Sequence, residues 1–275
     1  VQSVSQGETL YGLPVSFDTT ALFLIRGAPT LTTLDEMVEQ ARIGNRVALF
    51  SDGFNAFWGM GSFAGPPPAG ADSFFVPEGW PSQEALVAWF EWMQQAEDAA
   101  GIQLNMGSRR AIALFTNQRL AYYAGNNAQL AEVMEIMSAD QVETTLLPAG
   151  PAGPATPLLR SQALFFPRAL FSGNGNGADQ QAGLSFATYL SSAEAQNLLL
   201  QSGERLPTNR LVDLSQRPVA QAFITQAGSA IPYPPPGGEE TLTRLDEITR
   251  AVLSGDLTPS EAAEQLLNRP GSDDE

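Results

Sequence analysis

The chain has 275 residues, 43% of them hydrophobic, and a net charge of −16 in which every basic residue is an arginine. Histidine, lysine and cysteine are absent, which excludes a nucleophile activated by histidine, a lysine Schiff base, a P-loop lysine, a His/Cys zinc site and any disulfide. The apolar fraction suffices for packed cores, so wholesale disorder is excluded as well.

In chain order, the first extended run is Ala21–Ile25. Thr33-Leu34-Asp35-Glu36 then reads as a capping box, and Leu34, Met37, Val38 and Ala41 share one face of the helix it opens. Arg46–Phe50 is a second strand, followed later by a breaker, Gly65–Gly70 (GPPPAG). After Trp80-Pro81 the spacing of Leu86, Trp89, Phe90 and Met93 predicts a helix, with Gly101 placed to close it in the left-handed region. Ala111–Phe115 and Leu120–Tyr123 read as strands, Ala128–Met137 as a helix and Thr144–Leu147 as a strand. The stretch Pro148–Pro157 (PAGPAGPATP) resists both helix and central strand, and reads as a crossing between lobes.

Ala163–Phe166 is the last strand. Ser172–Gly177 (SGNGNG) reads as a turn, because it lacks the lysine that a phosphate loop needs. Helices follow over Gln180–Leu190, Ser191–Gln201 with Ser191 and Glu194 as its box, Pro218–Gln226, and Glu239–Leu253 ending at Gly255. In the last, Thr258–Leu267, Thr258 caps, Pro259 takes the first helical position and Glu261 completes the box. The tail Gly271–Glu275 is expected to fray. Strands apolar on both faces, alternating with helices, predict an α/β protein.

The charge disfavours nucleic acid and anionic membranes as partners, since phosphate neutralisation needs clustered basic residues and these arginines are scattered. No apolar run reaches the ~18 residues of a membrane span.

The order of short phrases along the chain resembles one family. Tyr11-Gly12-Leu13-Pro14 with Asp18-Thr19 and Ala21–Ile25 is similar to an entry into a first hinge. Pro29-Thr30 through Thr33-Leu34-Asp35-Glu36-Met37 is similar to a "P-x-T-W-D-E-L" helix start, and Ala113–Gly125 to "A-F-x-x-G-x-A-M-x-x-x-G-x-W". Leu147–Gly153 is similar to a proline-glycine stretch before a second hinge. Ala187–Ala195 with Gly203–Asn209, and Val252–Gly255 with Thr258–Ala263, are similar to "F-L-x-x-P-E-A-Q…G-x-x-P" and "V-L-x-G-x-x-x-P-E-E-A-L". Together they resemble the family 1 extracellular solute-binding proteins, the maltose-binding protein class that delivers sugars to ABC importers. Two positions depart from the pattern: Gln118 stands where it has glycine, and Asn126-Asn127 where it has an aromatic residue.

The resemblance implies a fold like the type II periplasmic binding proteins, α/β, with two lobes joined by crossing segments. Residues 1–18 and 163–213 would form the first lobe, incomplete because the family's opening segment is expected upstream of Val1. Residues 21–159 and 217–275 would form the second, with hinges near 18–21, 159–163 and 213–217. It further implies a monomeric receptor outside the cytoplasm, anchored through that upstream segment. A carbohydrate and the importer's transmembrane subunits are its implied partners, with no cofactor and no metal.

Sugar binding needs ring faces for the pyranose C–H surface and planar polar groups for the hydroxyls. Asp52, Phe54, Phe57 and Trp58, directly after the Arg46–Phe50 strand, offer that mixture, although Phe57 and Trp58 equally suit core packing. Asp18 is a cleft contact or a turn residue, and Asn126 and Asn127 are ligand amides or helix caps. Tyr233 and Glu239 complete the candidate set, with Glu239 and Glu240 also suited to a positive helix end. Trp89 and Phe90 are read as core, and Arg109-Arg110 as a solvated patch. Two other functions remain open: a glycoside hydrolase using paired carboxylates, and a degenerate module that keeps the fold and binds a protein.

Overall fold

A computed structural model of the chain describes residues 5–6, 9–10, 12–49, 52–68, 75–76, 79–166, 177–201, 205–215, 217–233 and 238–268. The expected turn at 172–176 and tail at 271–275 lie outside the described residues, as do Tyr11, Phe50 and parts of the Gly/Pro-rich stretches 65–70 and 231–238.

A short hairpin, β1 (Ser5–Gln6) and β2 (Thr9–Leu10), precedes β3 (Leu13–Asp18) and β4 (Thr20–Ile25). Then come α1 (Leu34–Arg42), β5 (Val47–Ala48), α2 (Gly53–Ala56), α3 (Trp58–Ala64), α4 (Gln83–Glu97), β6 (Ile102–Gln103) and α5 (Ser108–Thr116). The middle of the chain holds β7 (Tyr122–Asn126), α6 (Ala128–Ile136), β8 (Val142–Thr145) and β9 (Leu158–Leu164). The last part holds α7 (Gly177–Leu190), α8 (Ala193–Gln201), β10 (Leu206–Pro207), α9 (Pro218–Gln226), β11 (Ile231–Pro232), α10 (Gly238–Ser254) and α11 (Pro259–Leu267).

Two sheets organise these elements: a five-stranded one in the order β6-β5-β7-β4-β8, and a four-stranded one in the order β10-β3-β9-β11. The former shows why its strands are apolar throughout. Side chains alternate across a strand, so Leu22 and Leu24 of β4 join the core formed with α1, α3, α4, α10 and α11. Ala21 and Phe23 enter the opposite core with α5, α6 and α9. Phe23 there meets Phe115, Tyr123 and Phe223 at ring-centroid distances of 6.2, 5.8 and 5.5 Å.

Between β3 and β4 the chain passes from one sheet to the other through Thr19 alone. That residue is fully buried, and its hydroxyl donates to the Leu158 carbonyl at 3.0 Å, tying the passage to the start of β9. The Pro148–Pro157 stretch also links the two sheets, but it is pinned rather than free. Ala149 bridges Thr33, Ala152 N–H donates to the Ser62 carbonyl (3.0 Å) and Thr156 N–H to that of Trp58 (3.3 Å). The fit against α3 leaves no room at Gly61, where a Cβ would lie 1.7 Å from Thr156 Oγ1. Gly61→Ala is therefore expected to cost about 1–3 kcal/mol as an overpacked site, read from the midpoint of urea unfolding.

Both capping boxes are present: Thr33 Oγ1 accepts from Glu36 N–H at 3.2 Å and Thr258 Oγ1 from Glu261 N–H at 3.3 Å. The Thr32 backbone N–H and hydroxyl, with the Thr33 N–H, hold the Glu36 carboxyl below its ordinary value.

Other expectations are corrected. Ala111–Phe115 lies in helix α5, where Ala111, Ile112 and Phe115 bury one face while Arg109 and Arg110 stay exposed. A short apolar run does not reveal its period. The helix cap at α8 is Ser192, whose hydroxyl accepts from Ala195 N–H at 3.2 Å, and not Ser191. Gly101 does adopt a positive φ of 104°, but α4 ends at Glu97 with Asp98 as its C-cap, so Gly101 turns the chain into β6. Gln118 has a φ of 55° in the tight turn before β7, at the position where the resembled pattern has glycine. β1, β2, β3, β6, β10, β11, α2, α3 and α5 went unread as such in the sequence. The four-stranded sheet also draws β11 from within residues 217–275. Helix α7 buries only Ala187 and leaves Leu184, Phe186 and Tyr189 exposed.

Candidate functional site

The crossing at Thr19 carries a side-chain network that shapes a cleft. Asn127, 1% exposed, accepts the Thr19 N–H at 2.8 Å and donates through Nδ2 to Asp18 Oδ1 at 3.0 Å. Its amide thus joins the end of β3 to the start of α6, and it orients the Asp18 carboxylate. Next to it, Gln129 Oε1 accepts both the Tyr123 hydroxyl (2.7 Å) and the Asn126 N–H (3.0 Å), which fixes the corner between β7 and α6. Burial pushes the Tyr123 phenol up, so it remains the protonated donor in this bond. The Asn126 Oδ1 is buried and has no hydrogen-bond partner among the described residues.

Opposite stands the turn into α2. Asp52 caps that helix by accepting the Asn55 N–H at 2.9 Å, and both of its carboxylate oxygens accept from Asn55 Nδ2 at 3.1 Å. Asn55 in turn accepts the Thr20 hydroxyl through Oδ1 at 3.2 Å, so the α2 turn is tied to the first residue of β4. Phe54 then projects beside Tyr233, edge to face with centroids 5.7 Å apart. The Arg160 guanidinium lies 5.0 Å from the Phe54 ring centre and 4.4 Å from that of Tyr233, a cation–π contact with both rings. Tyr233 donates its hydroxyl to Glu239 Oε1 at 2.6 Å. Burial and this bond raise the Tyr233 pKa, while Arg160 opposes the rise.

These side chains surround an open cleft of about 420 Å³, lined by residues of both sheets and the first turns of α10, a volume suited to a small ligand. It gathers Asp18, Asp52, Phe54, Asn126, Tyr233 and Glu239 from segments far apart in the chain. A second hollow of about 440 Å³, with Asp18 and Ala128 in its wall, extends the groove towards Glu132, Gln162 and Arg205.

Three expected residues are elsewhere. Phe57 and Trp58 are both 0% exposed and sit in the core, Phe57 against Phe75 and Trp80 at 6.0 and 6.2 Å. Ala56, Phe57 and Trp58 join the core cluster together, while Phe54, packed on the edge of that cluster, lines the cleft. Asn127 supports Asp18 from behind rather than lining the cleft, and it contributes no side-chain cap to α6.

Arg160 and Asp246 are cleft residues that sequence reasoning missed. Arg160 is an isolated charge between Leu159 and Ser161, just before the expected strand Ala163–Phe166. Asp246 follows Glu239, Leu242 and Thr243 at helical spacing, and it pairs with Arg250 Nη2 at 2.5 Å. In sum the cleft offers carboxylates, one amide, one guanidinium and two ring edges or faces. Among the described residues no group of three Asp or Glu is placed to hold a metal ion.

A family model described as bacterial extracellular solute-binding protein matches residues 3–224. The chain belongs to that family. Solved structures agree with it in fold. The GacH receptor of Streptomyces glaucescens, known unliganded and with acarbose, superposes on this family member with a TM-score of 0.74 at 19% identity, over 96% of this chain and 71% of that one. An extracellular solute-binding protein of Staphylococcus aureus in complex with maltose gives 0.73 at 17% identity, over 96% and 70%. The maltose/maltodextrin-binding domain of Bdellovibrio bacteriovorus, bound to maltotriose, gives 0.71 at 17% identity, over 97% and 74%. No curated protein matches the sequence. The family and these neighbours are binding proteins, not enzymes. Among the described residues of this solute-binding protein, no helix is long and apolar enough to cross a membrane.

Proposed function

We propose that this solute-binding protein captures a carbohydrate in the cleft and passes it, outside the cytoplasm, to the membrane subunits of an ABC importer. The observation that carries the reading is the apposition of Phe54 and Tyr233 with the Asp18, Asp52, Asn126 and Glu239 side chains around one open cleft. A sugar presents C–H faces that rings accept and hydroxyls that carboxylates and amides bind in pairs. Arg160, already stacked on both rings, adds a donor for a ring or glycosidic oxygen. The names of the solved neighbours, bound to acarbose, maltose and maltotriose, support the same ligand class.

The mechanism follows from where the groups sit. Asp18 and Arg160 belong to strands of the four-stranded sheet, whereas Asp52, Phe54 and Asn126 belong to the five-stranded sheet and its adjoining turn. A ligand touching both sets stabilises the arrangement that brings them together, by its differential affinity for that arrangement. On this reading residues 1–18 and 163–213 form one lobe, residues 21–159 and 217–275 the other, and the closed monomer is what the importer recognises. No bond is made or broken.

Isothermal titration of the chain with glucose, maltose, maltotriose and a panel of other sugars tests the proposal, with a reducing-end assay on the same mixtures. Saturable heat with one sugar and no new reducing ends is expected. Binding of an unrelated solute, with no heat from any sugar, would sink the carbohydrate reading, and release of reducing ends would sink the receptor one.

A further inference from the structure

The same strands that present Asp18 and Arg160 to the cleft carry a second site on their other face. Alternation along β3 and β9 sends Phe17 and Leu159 away from the cleft, into the wall of a separate hollow of about 390 Å³. Beyond these two strands, the hollow is closed by the segment leaving β10, with Val212 and Leu214, and by Ile224 and Ala227 at the end of α9. It is therefore walled by both halves of the fold. β3, β9 and β10 belong to the four-stranded sheet, while α9 is fastened to the five-stranded one by Phe223 against Phe23 (5.5 Å) and by the Thr144 hydroxyl on the Val219 carbonyl (2.7 Å).

The hollow's polar groups are mostly spent internally. Thr208 donates its hydroxyl to the Pro14 carbonyl at 2.9 Å, and Asn209 donates to the Ser191 carbonyl and accepts from Leu211 N–H, each at 2.9 Å. Arg210, in the lining and exposed, makes no ion pair or hydrogen bond among the described residues. A cation left free at the mouth of an apolar hollow, on a chain of net charge −16, complements one kind of small molecule: an anion with an apolar body.

We infer that this hollow is a second ligand site, distinct from the cleft, that takes an anionic amphiphile such as a medium-chain carboxylate. The chain buries against Phe17, Leu159 and Ile224, and the carboxylate meets Arg210. Because one wall is the four-stranded sheet and the other is α9, which is fastened to the five-stranded sheet, an occupant also bears on how the two sheets sit relative to each other.

Titration calorimetry with octanoate, using octanol as the uncharged control, tests the site. One saturable octanoate site per chain is expected, with octanol binding at least tenfold more weakly. Arg210→Gln should weaken octanoate about tenfold without changing octanol, Ala227→Trp should abolish binding by filling the hollow, and Tyr233→Ala in the cleft should leave it unchanged. Ile224→Trp serves as a second filling variant should Ala227→Trp fail to fold. Absence of saturable heat, equal binding of octanol, or retained binding in a folded filling variant overturns the inference. So does loss of octanoate binding in Tyr233→Ala, which would place the carboxylate in the cleft. None of these outcomes depends on whether a sugar binds.

Discussion

Tyr233→Ala is expected to weaken carbohydrate binding by about 2 kcal/mol, roughly thirty-fold in Kd, as for other anchoring aromatic side chains. Tyr233 serves the cleft in three ways: its ring stands against Phe54 (5.7 Å), its face lies under Arg160 (4.4 Å) and its hydroxyl bonds Glu239 (2.6 Å). Removing the side chain takes away a stacking surface and releases Phe54, Arg160 and Glu239 from it. Tyr233→Phe keeps the ring and the cation–π contact and loses only the bond to Glu239, so a loss of about 1 kcal/mol is expected. The side chain is partly exposed at the edge of the fold, so neither change should move the unfolding midpoint by much. Titration of both variants with the sugar that binds the parent chain provides the measurement. An alanine variant that binds within twofold of the parent would remove Tyr233 from the site.

Trp89→Ala is expected to have the largest effect on stability, about 3–5 kcal/mol, as for other buried large aromatic residues. Trp89 is 0% exposed and packs on Phe90 with centroids 5.0 Å apart. Its indole also fits against the bare backbone of Gly59, where a Cβ would come within 2.4 Å of Nε1. The substitution therefore empties a space that the neighbouring α3 cannot collapse into, since α3 is held from its other side by Thr156 and Ala152. Urea unfolding should show a lowered midpoint with an unchanged m-value. At temperatures where the variant is folded, ligand affinity should be close to that of the parent, because Trp89 lies in the core cluster and not in the cleft. A loss under about 1 kcal/mol would show that the core repacks around the gap.

The residues that proved legible are those whose message is local. A capping box such as Thr33 with Glu36, or Thr258 with Glu261, is satisfied within four residues, and the helices it opens are where the spacing puts them. The amphipathic face of α4, with Leu86, Trp89, Phe90 and Met93 buried, is likewise written in its period. The apolar strands around Ala21–Ile25 and Leu120–Tyr123 could be read because both faces of the sheet are covered. The run Ala111–Phe115 could not be, since five residues serve a strand or one and a half turns of helix equally well, and only packing against β7 selects the helix.

The cleft divides in the same way. Aromatic and carboxylate residues suited to a sugar were visible in the segment after the second strand, but which of them face the ligand was not. Phe54 and Phe57 differ by three positions in a turn where two short helices meet, and the orientation of that turn is set by Asp52 on Asn55 and Asn55 on Thr20. Arg160 went unnoticed because its value comes from Phe54, more than a hundred residues earlier, and from Tyr233, far downstream in sequence.

By itself, then, the sequence determined what chemistry was closed to this protein, the starts of α1 and α11, the α/β class and the resemblance that the family match confirms. The absence of histidine, lysine and cysteine removes reactions regardless of fold, and caps and periods act over a single turn. Tertiary structure alone decided that Asn127 holds Asp18 from behind, that Phe57 and Trp58 are core, and that Arg160 closes over two rings. It also decided that one pair of strands presents a polar cleft on one face and an apolar hollow on the other. Those outcomes depend on contacts between residues distant in the chain, whose partners are chosen only when the two sheets meet at Thr19.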